Sequence, residues 1–142
     1  MENAATTNDI GTGTGKKALW TGRVLCALAI LFLSFDSVAK LLRLGPAVEG
    51  TKQVGYPESV VLGIGVVLLV CVVAYAIPRT AILGAVLLTG YLGGAIATHV
   101  RIGSPLFTHV LTPVYVAVFV WGGLYLRDRR LRALVRGALR AA

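Results

Sequence analysis

Residues 59–77 read Ser59-Val60-Val61-Leu62-Gly63-Ile64-Gly65-Val66-Val67-Leu68-Leu69-Val70-Cys71-Val72-Val73-Ala74-Tyr75-Ala76-Ile77, without a single Asp, Glu, Lys or Arg. An α-helix rises about 1.5 Å per residue, so this run matches the roughly 30 Å hydrocarbon core of a bilayer. Its apolar residues leave no polar stripe of the kind a soluble helix keeps. Backbone amides and carbonyls cannot stay unpaired in lipid, so the run must be helical. It is too long for a barrel strand and lacks the alternation of one. Only Pro78-Arg79 separates it from the next apolar run, which makes the two helices antiparallel neighbours.

Three more runs of this kind flank it, at about 18–38, 80–98 and 106–126. Over the 142 residues, 56% are hydrophobic and 14% charged, and the mean hydropathy is +0.80. A soluble domain carries about 25% charged residues, so a water-soluble globule is excluded and the length suits one domain. The connection His99–Pro105 is short. The longer one, Lys40–Glu58, holds Gly45-Pro46, Gly50 and Gly55-Tyr56-Pro57-Glu58, with Pro57 at a plausible first helical position. The expected fold is all-α, a transmembrane up-down-up-down four-helix bundle. Residues 1–17 are polar, with Gly11-Thr12-Gly13-Thr14-Gly15, and read as a disordered tail ahead of a membrane domain at 18–126.

Charge orients the spans. Lys16, Lys17, Arg23, Arg79, Arg127, Arg129, Arg130, Arg132, Arg136 and Arg140 fall on the side of both termini, against Lys40, Arg43, Lys52 and Arg101 opposite. The positive-inside bias then puts both termini in the cytoplasm and the chain in the inner membrane. Lys16-Lys17, an apolar stretch and Ser37-Val38-Ala39 also resemble a cleavable signal. The apolar core is long for one, and Asp36 stands where cleavage prefers small neutral residues, so a retained span is expected. In the tail, 127–142, Leu131, Leu134, Val135, Ala138 and Leu139 share one helical face and Arg129, Arg132, Arg136 and Arg140 another. That describes an amphipathic basic helix on anionic lipid of the inner leaflet, or simply a solvated topology signal. The net charge of +8 sits at span ends, so no nucleic-acid partner is expected.

Ionisable groups within spans are expensive and therefore candidate sites. Asp36 lies about a turn inside the outer end of the first span, with Lys40 at i+4 on the same face. Tyr56 and Glu58 open the second, His99 and Arg101 close the third, and His109 lies about a turn inside the fourth. Together they form one outward-facing polar layer, a candidate pocket for a small polar head group. The simpler alternative is that Asp36 pairs with Lys40 and the histidines satisfy helix ends. Pro113 cannot donate to the His109 carbonyl, so the fourth helix should bend there.

No metal site is expected. His99, His109, Asp36 and Glu58 could converge only through tertiary packing, and no short-spacing motif such as His-Glu-x-x-His occurs. Hydrolase and phosphate-loop motifs are likewise missing. Cys26 and Cys71 lack a Cys-x-x-Cys pairing and read as packing residues. Trp20, Trp121, Tyr75 and Tyr125 fit an aromatic belt at the inner interface. Gly90 and Gly94, at Gly-x-x-x-Gly spacing, read as a helix-packing face, within the bundle or between copies of a homo-oligomer.

Several stretches taken in order resemble the DoxX-like family of small four-span membrane proteins. They are Trp20-Thr21-Gly22-Arg23, Phe35-Asp36 with Lys40, Gly55-Tyr56-Pro57, Pro78-Arg79-Thr80-Ala81, Leu83-Gly84-Ala85, Thr89 to Ala95, Ala97-Thr98-His99-Val100-Arg101, and Trp121-Gly122-Gly123-Leu124 with Leu126-Arg127. The resemblance implies the fold. The family takes its name from a small membrane subunit associated with a thiosulfate–quinone oxidoreductase, and it supplies no catalytic residues to carry over. The expectation is an accessory or binding protein for a quinone or lipid, linked to a redox protein partner, with no cofactor evident in the residues themselves. The alternatives are an oligomeric proton-coupled transporter and a membrane enzyme using Asp36, His99 or His109 as acid and base.

Overall fold

The computed structural model describes residues 10–141, and they are almost entirely helical. Helix α1 spans Ile10–Leu41, α2 Gly45–Gln53, α3 Val61–Ala76, α4 Ala81–Arg101, α5 Thr112–Arg127 and α6 Arg129–Ala141. A short 3₁₀ turn, Glu58–Val60, leads into α3, and a π-helical turn, Leu106–Val110, leads into α5. Four segments are long and apolar enough to cross a membrane: Gly15–Leu41, Glu58–Ala76, Ala81–Arg101 and Leu106–Arg127. In none of them is more than 33% of the apolar window buried inside the bundle. The outward faces carry side chains such as Leu31, Phe35, Val70 and Val118, each more than half exposed. A protein in water does not leave so continuous an apolar surface open.

The long helices close a ring in which α1 packs on α3 and α5, and α4 packs on α3 and α5. Side-chain registers fix the directions. Cys26 meets Tyr75 while Ser37 meets Gly65, so α1 and α3 run antiparallel. Thr89 meets Trp121 and His99 meets His109, so α4 and α5 do too. The core holds Cys26, Ala29, Leu33, Leu68, Val72, Tyr75, Ala85, Leu88, Val120 and Leu124.

Two close approaches set the packing. A methyl on Gly22 would fall 2.8 Å from Leu126 Cβ, and one on Gly123 would fall 2.9 Å from Cys26 Sγ. A methyl on Gly84 would fall onto the Tyr75 backbone. These glycines let α1 touch α5 and let α3 turn directly into α4. Gly90 and Gly94 meet no atom within 4 Å. The expected packing face on α4 therefore points out of the bundle, because Ala81, Gly84, Ala85, Leu88 and Leu92 already fill its inner face.

Three other expectations change. The N-terminal tail is met only over residues 10–17, since residues 1–9 lie outside those described, and there the chain is helical. Once a lipid-buried segment has nucleated a helix, each added residue gains a hydrogen bond without a new nucleation cost, and even Gly-Thr repeats can follow. The first connection contains α2, with Pro46 in its first turn and Val48 and Thr51 buried beneath it. Tyr75, read as part of the interfacial belt, is fully buried, and its hydroxyl donates to the Val120 carbonyl at 2.8 Å.

The bend expected near Pro113 occurs as a junction of π-helical turn and helix. Leu111 N–H donates to Leu106 O, five residues back, and Pro113 falls in the first turn of α5, where its missing donor has no intrahelical partner to lose.

Candidate functional site

The candidate residues lie toward the end of the bundle opposite α6, called outer here as in the sequence reading, where they fall into three clusters. The first lies on α1. Asp36 and Lys40 form an i,i+4 ion pair, with the Lys40 side chain 14% exposed and that of Asp36 37% exposed. Lys40 packs on Gly65, so closely that a methyl there would lie 2.9 Å from Lys40 Cβ. Ser37 Oγ donates to the Gly65 carbonyl at 3.0 Å, which ties this cluster to α3. The pair cancels charge in a medium where either group alone would be costly.

The second cluster covers α2 and the outer end of α4. The Lys52 ammonium lies 2.8 Å from the Glu58 carboxylate, with both side chains about half exposed. The Tyr56 hydroxyl lies 3.4 Å from Thr98 Oγ1. Arg101 Nη2 donates to the Val54 carbonyl at 3.4 Å. Glu58 and Arg101 are thus held by the connection rather than turned toward the histidines.

The third cluster joins α4 to the π-helical turn. Gly103, at φ +67, adopts the left-handed conformation that stops α4, and Ser104 N–H returns to the His99 carbonyl at 3.0 Å. The same turn sets Ser104 Oγ 3.1 Å from His99 Nδ1. Thr108 Oγ1 lies 2.8 Å from His109 Nδ1. The two imidazole centres stand 5.7 Å apart at 54°. Sequence spacing had marked His99 and His109 separately, and the fold brings them together. It leaves the ion pair Asp36–Lys40 as a cluster of its own.

A further feature of this half of the bundle lies outside the residues singled out by the sequence. An open groove of about 510 Å³ runs along the α3/α4 seam, lined by Ser59, Val60, Gly63, Ile64, Val67 and Tyr91. Gly63 meets nothing within 4 Å and leaves its floor bare. Tyr91 lines the groove, and among the described residues no hydrogen bond engages its hydroxyl. Tyr91 sits seven residues before Thr98, about 10 Å deeper at the helical rise. A lone tyrosine in mid-span was the available clue. The groove itself depends on how α3 and α4 are juxtaposed.

With this geometry in view, the sequence profile of the DoxX-like family matches residues 24–123. The chain belongs to the DoxX-like family. The match covers α3, α4 and most of α1 and α5, and so all three clusters and the groove. With four apolar helices besides, this DoxX-like chain is a multi-pass membrane protein. Comparison with curated proteins and with solved structures returned no match.

Proposed function

We propose that this DoxX-like protein is an accessory protein that holds a small amphiphile, a quinone or a lipid, and serves a redox protein partner. The amphiphile lies along the α3/α4 groove, between the outer polar layer and Tyr91. The observation that carries this reading is the groove itself. It opens at Ser59, one residue from Glu58, and descends along Gly63 and Val67 to Tyr91, whose hydroxyl has no hydrogen bond among the described residues. A hydroxyl without a partner in hydrocarbon is unfavourable by about 1–3 kcal/mol, which an acceptor on the bound molecule would remove. A ring carbonyl can reach that depth, whereas a phospholipid head group stays at the interface.

The chain lies in the inner membrane with both termini in the cytoplasm, a reading supported by the distribution of Lys and Arg. Helix α6 carries five arginines and no acidic residue, with Leu134 and Leu139 exposed, which suits an anionic inner leaflet.

The test is purification in mild detergent followed by mass spectrometry of the extracted small molecules. The wild-type protein should retain one quinone or lipid per chain. Gly63→Leu, which has room to fold but fills the groove, should lose it, and Gly93→Ala should not. Retention that is absent in the wild type, or equal in Gly63→Leu, would overturn the proposal.

A further inference from the structure

We propose that His99 and His109 form a two-histidine site for a divalent transition-metal ion, with Zn²⁺ as the probe, at the outer end of the bundle. The inference is independent of the groove. Each imidazole already has its Nδ1 beside a hydroxyl, at 3.1 Å for Ser104 and 2.8 Å for Thr108. When Nδ1–H donates to that hydroxyl, the lone pair is left on Nε2. Metal-binding histidines are generally held in this way, with the non-ligating nitrogen fixed by an outer partner that sets tautomer and ring orientation.

The spacing suits a shared ion. With metal–nitrogen bonds of about 2.0–2.1 Å, two imidazoles on one tetrahedral ion have ring centres roughly 5.2 Å apart. The observed separation is 5.7 Å, about half an ångström more than the tetrahedral estimate requires. The neighbouring charges leave the site to the imidazoles. Asp36 is engaged by Lys40, Glu58 by Lys52, and the Arg101 guanidinium by the Val54 carbonyl. Among the described residues no group of three or more His, Cys, Asp and Glu side chains gathers. Water therefore completes the sphere, and affinity falls well short of that of a closed four-ligand site. His109 is exposed and His99 half-buried, so the rings can be reached from outside the bundle. The sequence argument against a metal rested on spacing along the chain, and the π-helical turn supplies the convergence that spacing lacked.

The tag-free full-length protein in detergent is titrated with Zn²⁺ by calorimetry and with Co²⁺ by visible absorption. One ion per chain is expected, together with a Tm that rises with added Zn²⁺. His99→Ala and His109→Ala should each weaken binding at least tenfold, and Ser104→Ala by about tenfold through loss of the outer partner. Helicity and elution volume check the fold. Ser104→Ala removes no ring and decides the matter if either histidine variant fails to fold. No saturable uptake, or uptake unchanged in these variants, would overturn the proposal.

Discussion

Tyr75 meets two neighbouring helices with one hydroxyl, which donates to the Val120 carbonyl of α5 and lies 3.1 Å from Cys26 Sγ of α1. Tyr75→Phe keeps the ring and removes both bonds. It should lower stability by about 1–2 kcal/mol, read as a shift of the unfolding midpoint in mixed micelles. No loss would mean that the hydroxyl is bystander to the packing. The Asp36–Lys40 pair makes a sharper test. Lys40→Met leaves a carboxylate unpaired near lipid and should destabilise by roughly 2 kcal/mol or more. The double variant Asp36→Leu/Lys40→Met should recover most of that, and additive losses would show that the two side chains act separately. Arg43 is the one described residue other than glycine with positive φ, at 50°. It ends α1 with Leu44 N–H bonded to the Ala39 carbonyl. That position favours glycine, so Arg43→Gly should leave stability unchanged or raise it by up to about 1 kcal/mol. The i,i+4 pair was legible from spacing. The partners of Tyr75 were not, because they lie 45 and 49 residues away along the chain.

At the scale of helices, the glycines of α4 divide by function. Gly84 faces the Tyr75 backbone, and Gly90, Gly93 and Gly94 face open space. Gly84→Val should destabilise by about 3 kcal/mol through overpacking at the α3/α4 turn. Gly90→Ala should be neutral or stabilising by about 0.5–1 kcal/mol, since alanine holds a helix better. A Gly90→Ala variant that loses stability or changes in size on gel filtration would instead place that face against another copy. The Gly-x-x-x-Gly spacing identified a smooth stripe, but spacing carries no information about which way the stripe faces. Helix α2 escaped notice for a related reason. Gly45-Pro46 and Gly50 are turn residues by composition, and only burial of Val48 and Thr51 against the bundle makes the nine-residue helix worthwhile. The π-helical turn follows the same logic: Pro113 announced a break, but not its form.

For the molecule as a whole, membrane orientation is the largest open consequence. Glu49 on α2 and Arg136 on α6 lie at opposite ends of the bundle, and both are exposed. In whole cells, a membrane-impermeant maleimide should label Glu49→Cys, and should label Arg136→Cys only after lysis. The reverse pattern would invert the topology. Cys26 and Cys71 are buried and should stay silent in both. The number of spans, their approximate limits and their helical nature were all legible in the sequence, because lipid forces each apolar run to satisfy its own backbone locally. The amphipathic pattern of residues 129–140 is likewise a local property. Which outer residues meet was decided only by the tertiary structure. His99 joins His109 and Glu58 joins Lys52, while Tyr91 and Gly63 frame a groove, and each of these depends on the rotation of one helix against another. A helix buried on one side and bathed in lipid on the other can present apolar residues both ways. Hydropathy alone therefore does not encode that rotation; the close approaches at Gly22, Gly84 and Gly123 fix it.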